Sequence, residues 1–451
     1  MFRELPPAVH TPETLAALGE KVSEPRRAGT AHDNASIPAA HTYLGQFIDH
    51  DITFDPVSRL QRLNDPDALH DFRSPRYDLD SLYGSGPSDS PYLYEWTDPQ
   101  SRGIRLLVGH NPDVNDRDEA LERADLLRNR QGRAIIGDPR NDENIIIGQL
   151  QLAFVRFHNR TVQLLQEKRP ALRGRALFEE ASRLVRWHYQ WVVVRDFLPR
   201  VVGRTTANQV LKADGTVQLD FFAWRHQPFI PVEFSVAAYR FGHSMIRPAY
   251  DLNAVVRQVP IFAARDRPGQ LEHLGGFRAL PAAWTIEWKR FVKIGSSRPQ
   301  PSRKINTRLA APLMKLPPEI DRPRRSLATL NLLRGRALRL PSGQAVAGAM
   351  TIAPLTGGDL GLTRFDLGAT RRAELEAATP LWYYVLREAE LGGGERLGAV
   401  GGRIVAEVLV GLLQGDPHSF LRQQPTWKPE LIPAARRGQF TLSDLLKFAT
   451  T

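Results

Sequence analysis

The chain contains no cysteine and only four methionines among its 451 residues. The absence of cysteine excludes disulfides, thiolate metal ligands and a cysteine nucleophile. Few methionines suit a protein that meets oxidants, although a high-GC coding bias gives the same count. No stretch approaches the roughly 18 apolar residues of a membrane span, and no apolar signal core follows the N-terminus. The expected location is therefore cytoplasmic, with non-classical secretion left open.

Basic residues outnumber acidic ones, and the formal net charge is +11 at pH 7. Arg and Lys are nevertheless scattered among acidic residues, so the sequence predicts no clustered basic face for nucleic acid. Hydrophobic residues make up 42% of the chain and charged residues 24%, which is typical of a globular protein with a substantial core.

Apolar residues recur mostly at helical spacing, and patterns of period two are sparse. The sequence predicts a mainly α fold, a single large helical domain with long loops and little β structure. Residues 1–36 are polar with scattered prolines and predict an N-terminal arm, followed by one domain over 37–451. Further helices are predicted over 137–165, 176–197, 231–247, 284–292, 326–336, 371–391, 397–413 and 442–448.

The stretch 45–51, Gly-Gln-Phe-Ile-Asp-His-Asp, places polar residues inside a short apolar helix. Its apolar positions are Leu44, Phe47 and Ile48. Gln46 and His50 are four apart and project from the same side, while Asp49 and Asp51 point about 100° to either side of His50. One segment can therefore offer an imidazole to a site and carboxylates to its edges. The alternative is a helix whose polar residues are merely solvated.

A second polar run, 73–84, carries oxygen ligands at alternate positions, namely Ser74, Arg76, Asp78 and Asp80. An extended segment directs alternate residues to one side. A hydroxyl, two carboxylates and a backbone carbonyl, together with Asp51, are hard ligands suited to Ca²⁺. The spacing is not that of an EF-hand, because Tyr83 stands where that loop requires glycine. A solvated turn is the alternative.

Two later segments combine polar residues with helical spacing. Arg140 and Glu143 are three apart and share the first turn of the helix predicted from 137, for which Asp138 is a suitable N-cap. Another pair at the same spacing is Asn331 with Arg334.

Two histidines lie in predicted helices with different surroundings. His243 follows Gly242, which permits a flat group to approach the backbone closely. His188 lies among aromatic residues and is expected to be a packed, hydrogen-bonded histidine rather than a ligand.

Taken together, these segments resemble the animal-type haem peroxidases of the peroxidase–cyclooxygenase superfamily, in particular its bacterial members. The resemblance runs in order from about Ile37 to the C-terminus. It implies an enzyme with haem b that reduces H₂O₂ through a compound I intermediate, in a response to oxidative stress. The implied electron donor is a small molecule, either a halide, thiocyanate or a phenol.

The resemblance also implies roles for the site residues. On the proximal side His243 would be the axial iron ligand, and Asn331 would accept a hydrogen bond from its other ring nitrogen. Arg240 and Arg334 would pair with haem propionates, with surface salt bridges as the alternative.

On the distal side, His50 would move the first proton of H₂O₂ to the leaving oxygen. Arg140 would stabilise the negative charge that develops as the O–O bond breaks, and Gln46 would hold water or a halide. A structural calcium would fix the distal helix, with ligands from Asp51, Ser74, the Arg76 carbonyl, Asp78 and Asp80.

Asp49 and Glu143 match the carboxylates that are ester-linked to haem methyl groups in mammalian members. Covalent haem through one or both is therefore expected, with hydrogen-bonded carboxylates at the haem edge as the alternative. Asn144 stands where a methionine forms a third, sulfonium link in a mammalian member. Its absence puts chloride oxidation in doubt and favours bromide, iodide, thiocyanate or phenolic donors.

Two other functions stay open. Fatty-acid dioxygenases of the superfamily use a tyrosine three residues before the proximal histidine, where this chain has Arg240, and Tyr239 is one place off. The second alternative is a catalytically silent, peroxidase-like adhesion module. Against it stands the intact set of His50, Arg140, His243 and Asn331.

Overall fold

The computed structural model describes residues 1–25, 29–53, 75–112, 124–263, 272–317 and 326–450. It is about 49% helical with few strands, which confirms the predicted mainly α fold. The α-helices of the described residues are α1 (Pro12–Lys21), α2 (Ala40–Ile52), α3 (Asp80–Tyr83), α4 (Ile145–Lys168), α5 (Gly174–Val192), α6 (Leu198–Val202), α7 (Arg204–Val210), α8 (Leu327–Ala337), α9 (Gly343–Ala349), α10 (Ala369–Ala377), α11 (Leu381–Leu391), α12 (Ala399–Gly415), α13 (Phe420–Gln423) and α14 (Leu442–Thr450).

Shorter helical turns and two small sheets complete the described architecture. The 3₁₀ turns are Thr30–His32, Pro91–Leu93, Pro139–Asp142, Ala238–Met245, Ala282–Trp284, Trp288–Arg290, Ala311–Met314, Gly357–Leu360 and Leu362–Arg364, and the π-helices are Val193–Phe197 and Glu233–Ala237. The strands pair antiparallel, β1 (Asp33–Pro38) with β4 (Pro301–Arg303), and β2 (Ala249–Tyr250) with β3 (Val259–Pro260). No helix in the described ranges combines the length and the apolar character needed to cross a membrane.

Helices α5, α8, α12 and α14 confirm four sequence predictions, with their ends shifted by a few residues. The prediction of one helix over 371–391 was wrong, because Pro380 has no N–H and separates α10 from α11. The helix predicted around 284–292 was also wrong. Two 3₁₀ turns replace it, since the N–H of Glu287 donates to the Leu252 carbonyl at 2.9 Å instead of extending a helix.

The N-terminal residues contribute to the core through α1. Leu15 and Leu18 are buried, and α1 packs against α8. A side chain at Gly19 would lie 2.7 Å from the Thr329 Cα, so glycine permits the two helices to approach closely. The predicted division between residues 36 and 37 falls inside β1, and it stays a prediction.

Aromatic packing fixes the inner face of α2. Phe47 stacks on Phe154 of α4 with ring centroids 4.5 Å apart, and Tyr189 of α5 meets both rings edge-on. Stacked and edge-to-face rings add to the stabilisation that burial provides. Helices α2, α4 and α5 therefore form a rigid support for the polar residues that α2 carries.

Candidate active site

Helix α2 is tied directly to the segment that carries His243. A side chain at Gly45 would meet the ring of Phe197 at 3.2 Å, which leaves little room for anything but glycine. The hydroxyl of Tyr239 donates to the carbonyl oxygen of Gly45 at 3.2 Å. Since Tyr239 precedes His243 by four residues, these contacts hold the expected distal and proximal residues in one unit.

The imidazole of His50 is buried and has a neighbour at each nitrogen. Nδ1 lies 2.7 Å from the side-chain oxygen of Asn141, so Nδ1 donates to it. Nε2 lies 3.8 Å from Oε1 of Glu143. Asn141 thereby engages Nδ1, and Nε2 lies on the Glu143 side of the ring.

Arg140 lies in the 3₁₀ turn Pro139–Asp142, for which Asp138 is the N-cap. The prediction that Asp138 begins the long helix was wrong, because α4 starts at Ile145 with Asn144 as its cap. The chain leaves the helical path between the two elements, since the N–H of Ile145 donates to the Leu274 carbonyl at 2.8 Å.

The guanidinium group of Arg140 binds backbone carbonyls at the C-terminal end of α2. Nη2 donates to the Asp138 carboxylate at 2.7 Å, to the His50 carbonyl at 2.7 Å and to the Thr53 carbonyl. Burial alone would lower the pKa of Arg140, but the hydrogen bond and charge of Asp138 raise it overall. Arg140 therefore holds its positive charge next to His50.

Glu143, Gln46 and Asn144 form a chain of hydrogen bonds beside His50. Gln46 Nε2 donates to Glu143 Oε1, and Asn144 Nδ2 donates to Gln46 Oε1 at 3.3 Å. Desolvation raises the pKa of Glu143 to about 7, against the opposing charge of Arg140. A carboxyl group of this kind can hold or release a proton near neutral pH.

The proximal segment is irregular, where the sequence predicted one α-helix over 231–247. A π-helix, Glu233–Ala237, is followed by a 3₁₀ helix, Ala238–Met245. The two differ in their hydrogen-bond period, and the backbone at Ala237 leaves the helical region, with φ −125° and ψ −74°. Residues three apart eclipse one another in a 3₁₀ helix. Arg240 therefore lies over His243.

Both of these side chains contact Asn331 of α8. Asn331 Nδ2 is 3.0 Å from Nδ1 of His243, and Arg240 Nη1 donates to Asn331 Oδ1 at 3.0 Å. Burial, and then the charge of Arg240, lowers the pKa of His243 to about 3. His243 is therefore neutral, the form in which an imidazole binds a metal.

The surroundings of His243 fit a haem. Burial, and then the like charge of Arg334, lowers the pKa of Arg240 to about 10. A ligand carrying carboxylates would relieve this repulsion, as haem propionates do. A side chain at Gly242 would meet no atom of the described residues within 4 Å, so space lies beside the backbone next to His243. Arg240, Arg334 and His243 are thus suited to hold the propionates and the iron.

Asp49 connects the two halves of the site. Its charge acts on Arg140 and Glu143 on one side, and on Tyr239 and Arg240 on the other. Asp49 and Glu143, the two carboxylates expected to attach haem, therefore border the same region.

The predicted calcium ligands partly come together. Carboxylate oxygens of Asp51, Asp78 and Asp80 lie within 4.8 Å of one another, a spacing that suits a bound cation. The N–H of Leu79 donates to Asp51 Oδ1 at 3.0 Å, and Leu79 adopts the left-handed conformation with φ 56°. This turn brings the acidic side chains together beneath α2. Ser74 lies outside the described residues.

Sequence reasoning missed two buried amides behind His50. Asn141 and Gln151 are both 0% exposed. Gln151 stands between Leu150 and Leu152 on the buried part of α4, and a polar residue in that position was the available signal. Asn141 gave no such signal, because its role depends on a contact with another helix.

The structure confirms that His188 is a core histidine. Its Nδ1 donates to the Leu184 carbonyl at 2.7 Å. Burial lowers the pKa of His188 to about 4, so the ring is neutral. His188 therefore needs no metal or substrate to explain its place in α5.

The sequence profile described as animal haem peroxidase matches residues 68–346. The chain is 29% identical over 284 residues to a peroxidase-like protein of Margaritifera margaritifera, an alignment covering 53% of this chain and 35% of that protein. It is 28% identical over 260 residues to the myeloperoxidase of Mus musculus, covering 45% of this chain and 35% of that protein. The chain thus spans about a third of the length of these relatives.

Solved structures share the fold. Peroxidase A of Dictyostelium discoideum superposes with a TM-score of 0.61 at 16% identity, covering 97% of this chain and 88% of that chain. A fatty acid alpha-dioxygenase of Oryza sativa superposes with a TM-score of 0.58 at 16% identity, covering 98% of this chain and 76% of that chain. At such identities the likeness shows the fold alone. The match over residues 68–346, which takes in more than half of the chain, shows that this protein belongs to the animal haem peroxidase family.

Proposed function

We propose that this protein is a haem peroxidase that reduces H₂O₂ and oxidises a small electron donor. The observation that carries the proposal is the environment of His50, a buried imidazole whose Nδ1 is bound to Asn141 and whose Nε2 we assign to proton exchange. Membership of the family and the fit of Arg240, Arg334 and His243 to haem support it.

His50 and Arg140 have separate roles in the proposed cleavage of H₂O₂. His243 would hold the haem iron through its imidazole, and the bound haem would supply the electrons needed to cleave the O–O bond. Nε2 of His50 accepts the first peroxide proton and delivers it to the leaving oxygen, which departs as water. Arg140, fixed by Asp138 and by the end of α2, stabilises the negative charge that develops on the leaving oxygen.

The distal amides bear on the choice of donor. Gln46 Nε2 has two hydrogens, of which Glu143 takes one, so the other is available for water or a halide. Asn144 caps α4 and donates to Gln46, and it cannot form the sulfonium link of a methionine. We therefore propose bromide, iodide, thiocyanate or phenols as donors in preference to chloride.

Calcium belongs to the same proposal. Asp51, Asp78 and Asp80 would bind Ca²⁺ through their carboxylates, with the Arg76 carbonyl as a further ligand. Because Asp51 follows His50 directly on α2, the ion would fix the orientation of the distal histidine.

The dioxygenase alternative finds less support. Arg240 stands three residues before His243, where the radical tyrosine would be required. The neighbouring Tyr239 is buried and its hydroxyl donates to the Gly45 carbonyl. A fatty acid as the donor therefore has no correctly placed tyrosine to abstract its hydrogen.

An optical spectrum of protein expressed with a haem supply tests the function, recorded before and after one equivalent of H₂O₂. We expect a Soret band that changes on adding peroxide, and a His50→Leu variant that keeps the band but loses the change. His110→Gln, on an exposed side chain, is the matched control and should behave as the wild type. A wild-type protein without a Soret band would overturn the enzyme proposal and leave the adhesion module.

A further inference from the structure

A relay of amides runs from the backbone of α3 to the ring of His50. Gln151 Nε2 donates to the Ser81 carbonyl at 2.9 Å, and Asn141 Nδ2 donates to Gln151 Oε1 at 2.9 Å. His50 Nδ1 completes the relay with its 2.7 Å bond to Asn141 Oδ1. His50 is 6% exposed, Ser81 1%, and the two amides 0%, so water does not compete for these bonds.

The bond between Gln151 and the Ser81 carbonyl determines which group donates and which accepts in each of the other bonds. A backbone carbonyl can only accept, so Gln151 must turn its NH₂ toward Ser81 and its oxygen toward Asn141. Asn141 must then turn its NH₂ toward Gln151 and its oxygen toward His50. The hydroxyl of Ser81 lies 3.3 Å from Gln151 Oε1 and can donate to it, which is compatible with this orientation.

Amide orientation is otherwise ambiguous in a side chain, and here the backbone carbonyl of Ser81 determines it. Since Asn141 presents an oxygen, the proton of the neutral His50 ring must reside on Nδ1. Nε2 then carries the lone pair.

We propose that Asn141 and Gln151 are positioning residues that hold His50 in the tautomer able to accept the proton of H₂O₂. The inference rests on the proposed function and adds to it the two residues that determine the tautomer of His50. In the other tautomer Nε2 would bear hydrogen, and His50 would donate to peroxide instead of taking its proton. The proton of H₂O₂ forms the new N–H bond with the Nε2 lone pair and later passes to the leaving oxygen.

The relay has rigid anchors at both ends. Gln151 belongs to α4 and Ser81 to α3, while Asn141 lies in the turn that also carries Arg140. The N–H of Gly137 also donates to the Ser81 carbonyl at 2.9 Å, which fixes the acceptor in place. The relay therefore joins four separate segments around one proton position.

The test compares Gln151→Met with Gln151→Glu. Methionine has a similar length, but it cannot donate to Ser81 and its sulfur is only a weak acceptor, so the Asn141 amide loses its enforced direction. A protonated glutamic acid keeps both bonds, because its hydroxyl can donate to Ser81 and its carbonyl oxygen can accept from Asn141. It is therefore the matched control.

The measurement is the infrared C–O stretch of the ferrous carbon monoxide complex, which falls in frequency when a distal N–H donates to the bound ligand. We expect one band at the same position in wild type and Gln151→Glu, and an additional downshifted band in Gln151→Met. The rate of the peroxide reaction should fall in proportion to the share of the downshifted band. In a His50→Leu background the extra band should vanish.

An unchanged band in Gln151→Met, or an extra band that persists in His50→Leu, would overturn the inference. If Gln151→Met does not bind haem, Asn141→Leu carries the same test, since it removes the acceptor of Nδ1 directly. Failure of the wild type to form a carbon monoxide complex would instead defeat the proposed function.

Discussion

The side-chain amide of Asn331 lies between His243 and Arg240, with its nitrogen 3.0 Å from His243 Nδ1 and its oxygen 3.0 Å from Arg240 Nη1. In this arrangement His243 Nδ1 accepts, so the ring proton is on Nε2. Iron binding through Nε2 requires that proton on Nδ1, with an acceptor opposite it. We therefore predict that Asn331 turns its oxygen to His243 when haem binds, and that Arg240 releases it.

This exchange predicts how Asn331 tunes the iron. Asn331→Leu removes the acceptor of Nδ1, so His243 should be a weaker ligand and the iron–histidine stretching frequency of the ferrous protein should fall. Asn331→Asp offers a charged acceptor and should raise the frequency above that of the wild type. Resonance Raman spectroscopy measures both shifts. Equal frequencies in all three proteins would show that Asn331 does not support His243.

The attachment of haem through Asp49 and Glu143 is a second prediction. Both carboxylates border one region, and the ester links would keep haem on the chain through acid–acetone extraction. Mass spectrometry should find haem attached in the wild type and in each single variant, Asp49→Asn or Glu143→Gln. The double variant should release it completely. Clean release from the wild type would establish the hydrogen-bonded alternative.

Removal of calcium should affect His50 through Asp51. Complete chelation would leave three carboxylates within 4.8 Å of one another, and their repulsion should displace the end of α2. We expect slower reaction with H₂O₂ and a lower thermal midpoint, both restored by Ca²⁺.

An ion present at one hundred times its dissociation constant contributes about 2.7 kcal/mol of stability, which a thermal melt detects. Asp78→Asn should reduce the response to Ca²⁺, whereas Asp98→Asn, in an exposed turn, serves as the control. Unchanged turnover after full removal would refute the coupling between the ion and His50.

The helical fold could be predicted from the sequence, because apolar residues at helical spacing, such as those of α2, indicate both a helix and its buried face. The sequence also placed His50, Arg140, His243 and Asn331 in separate segments. It could not predict that α4 begins only at Ile145, since a backbone bond to Leu274 from another part of the chain interrupts the helix.

The contacts that hold the site residues in place could not be predicted either, because they also join distant parts of the chain. In the sequence, Gln151 is only one polar residue in an apolar helix. Its role becomes visible in the structure, where it contacts the Ser81 carbonyl and Asn141. The 3₁₀ geometry that puts Arg240 over His243 depends on the π-helix before it, and no spacing in the sequence distinguishes these turns from an α-helix.

Glu143 gives the last prediction, for protein prepared without haem, in which its carboxyl is free. Desolvation raises the pKa of Glu143 from 4.5 to about 7 in the folded chain. Between these values the folded state binds a proton that the unfolded state has released. The free energy of unfolding should therefore fall as pH rises through this range.

Glu143→Gln cannot titrate, so its stability relative to the wild type should increase from pH 4.5 to about pH 7 and level off above it. Urea unfolding at a series of pH values measures the difference. Glu20→Gln, at an exposed position of α1, should follow the wild-type curve. Parallel curves for Glu143→Gln and the wild type would mean that Glu143 ionises equally in both states. Its carboxyl would then be ionised at neutral pH in the folded protein and would hold no proton to deliver to the site.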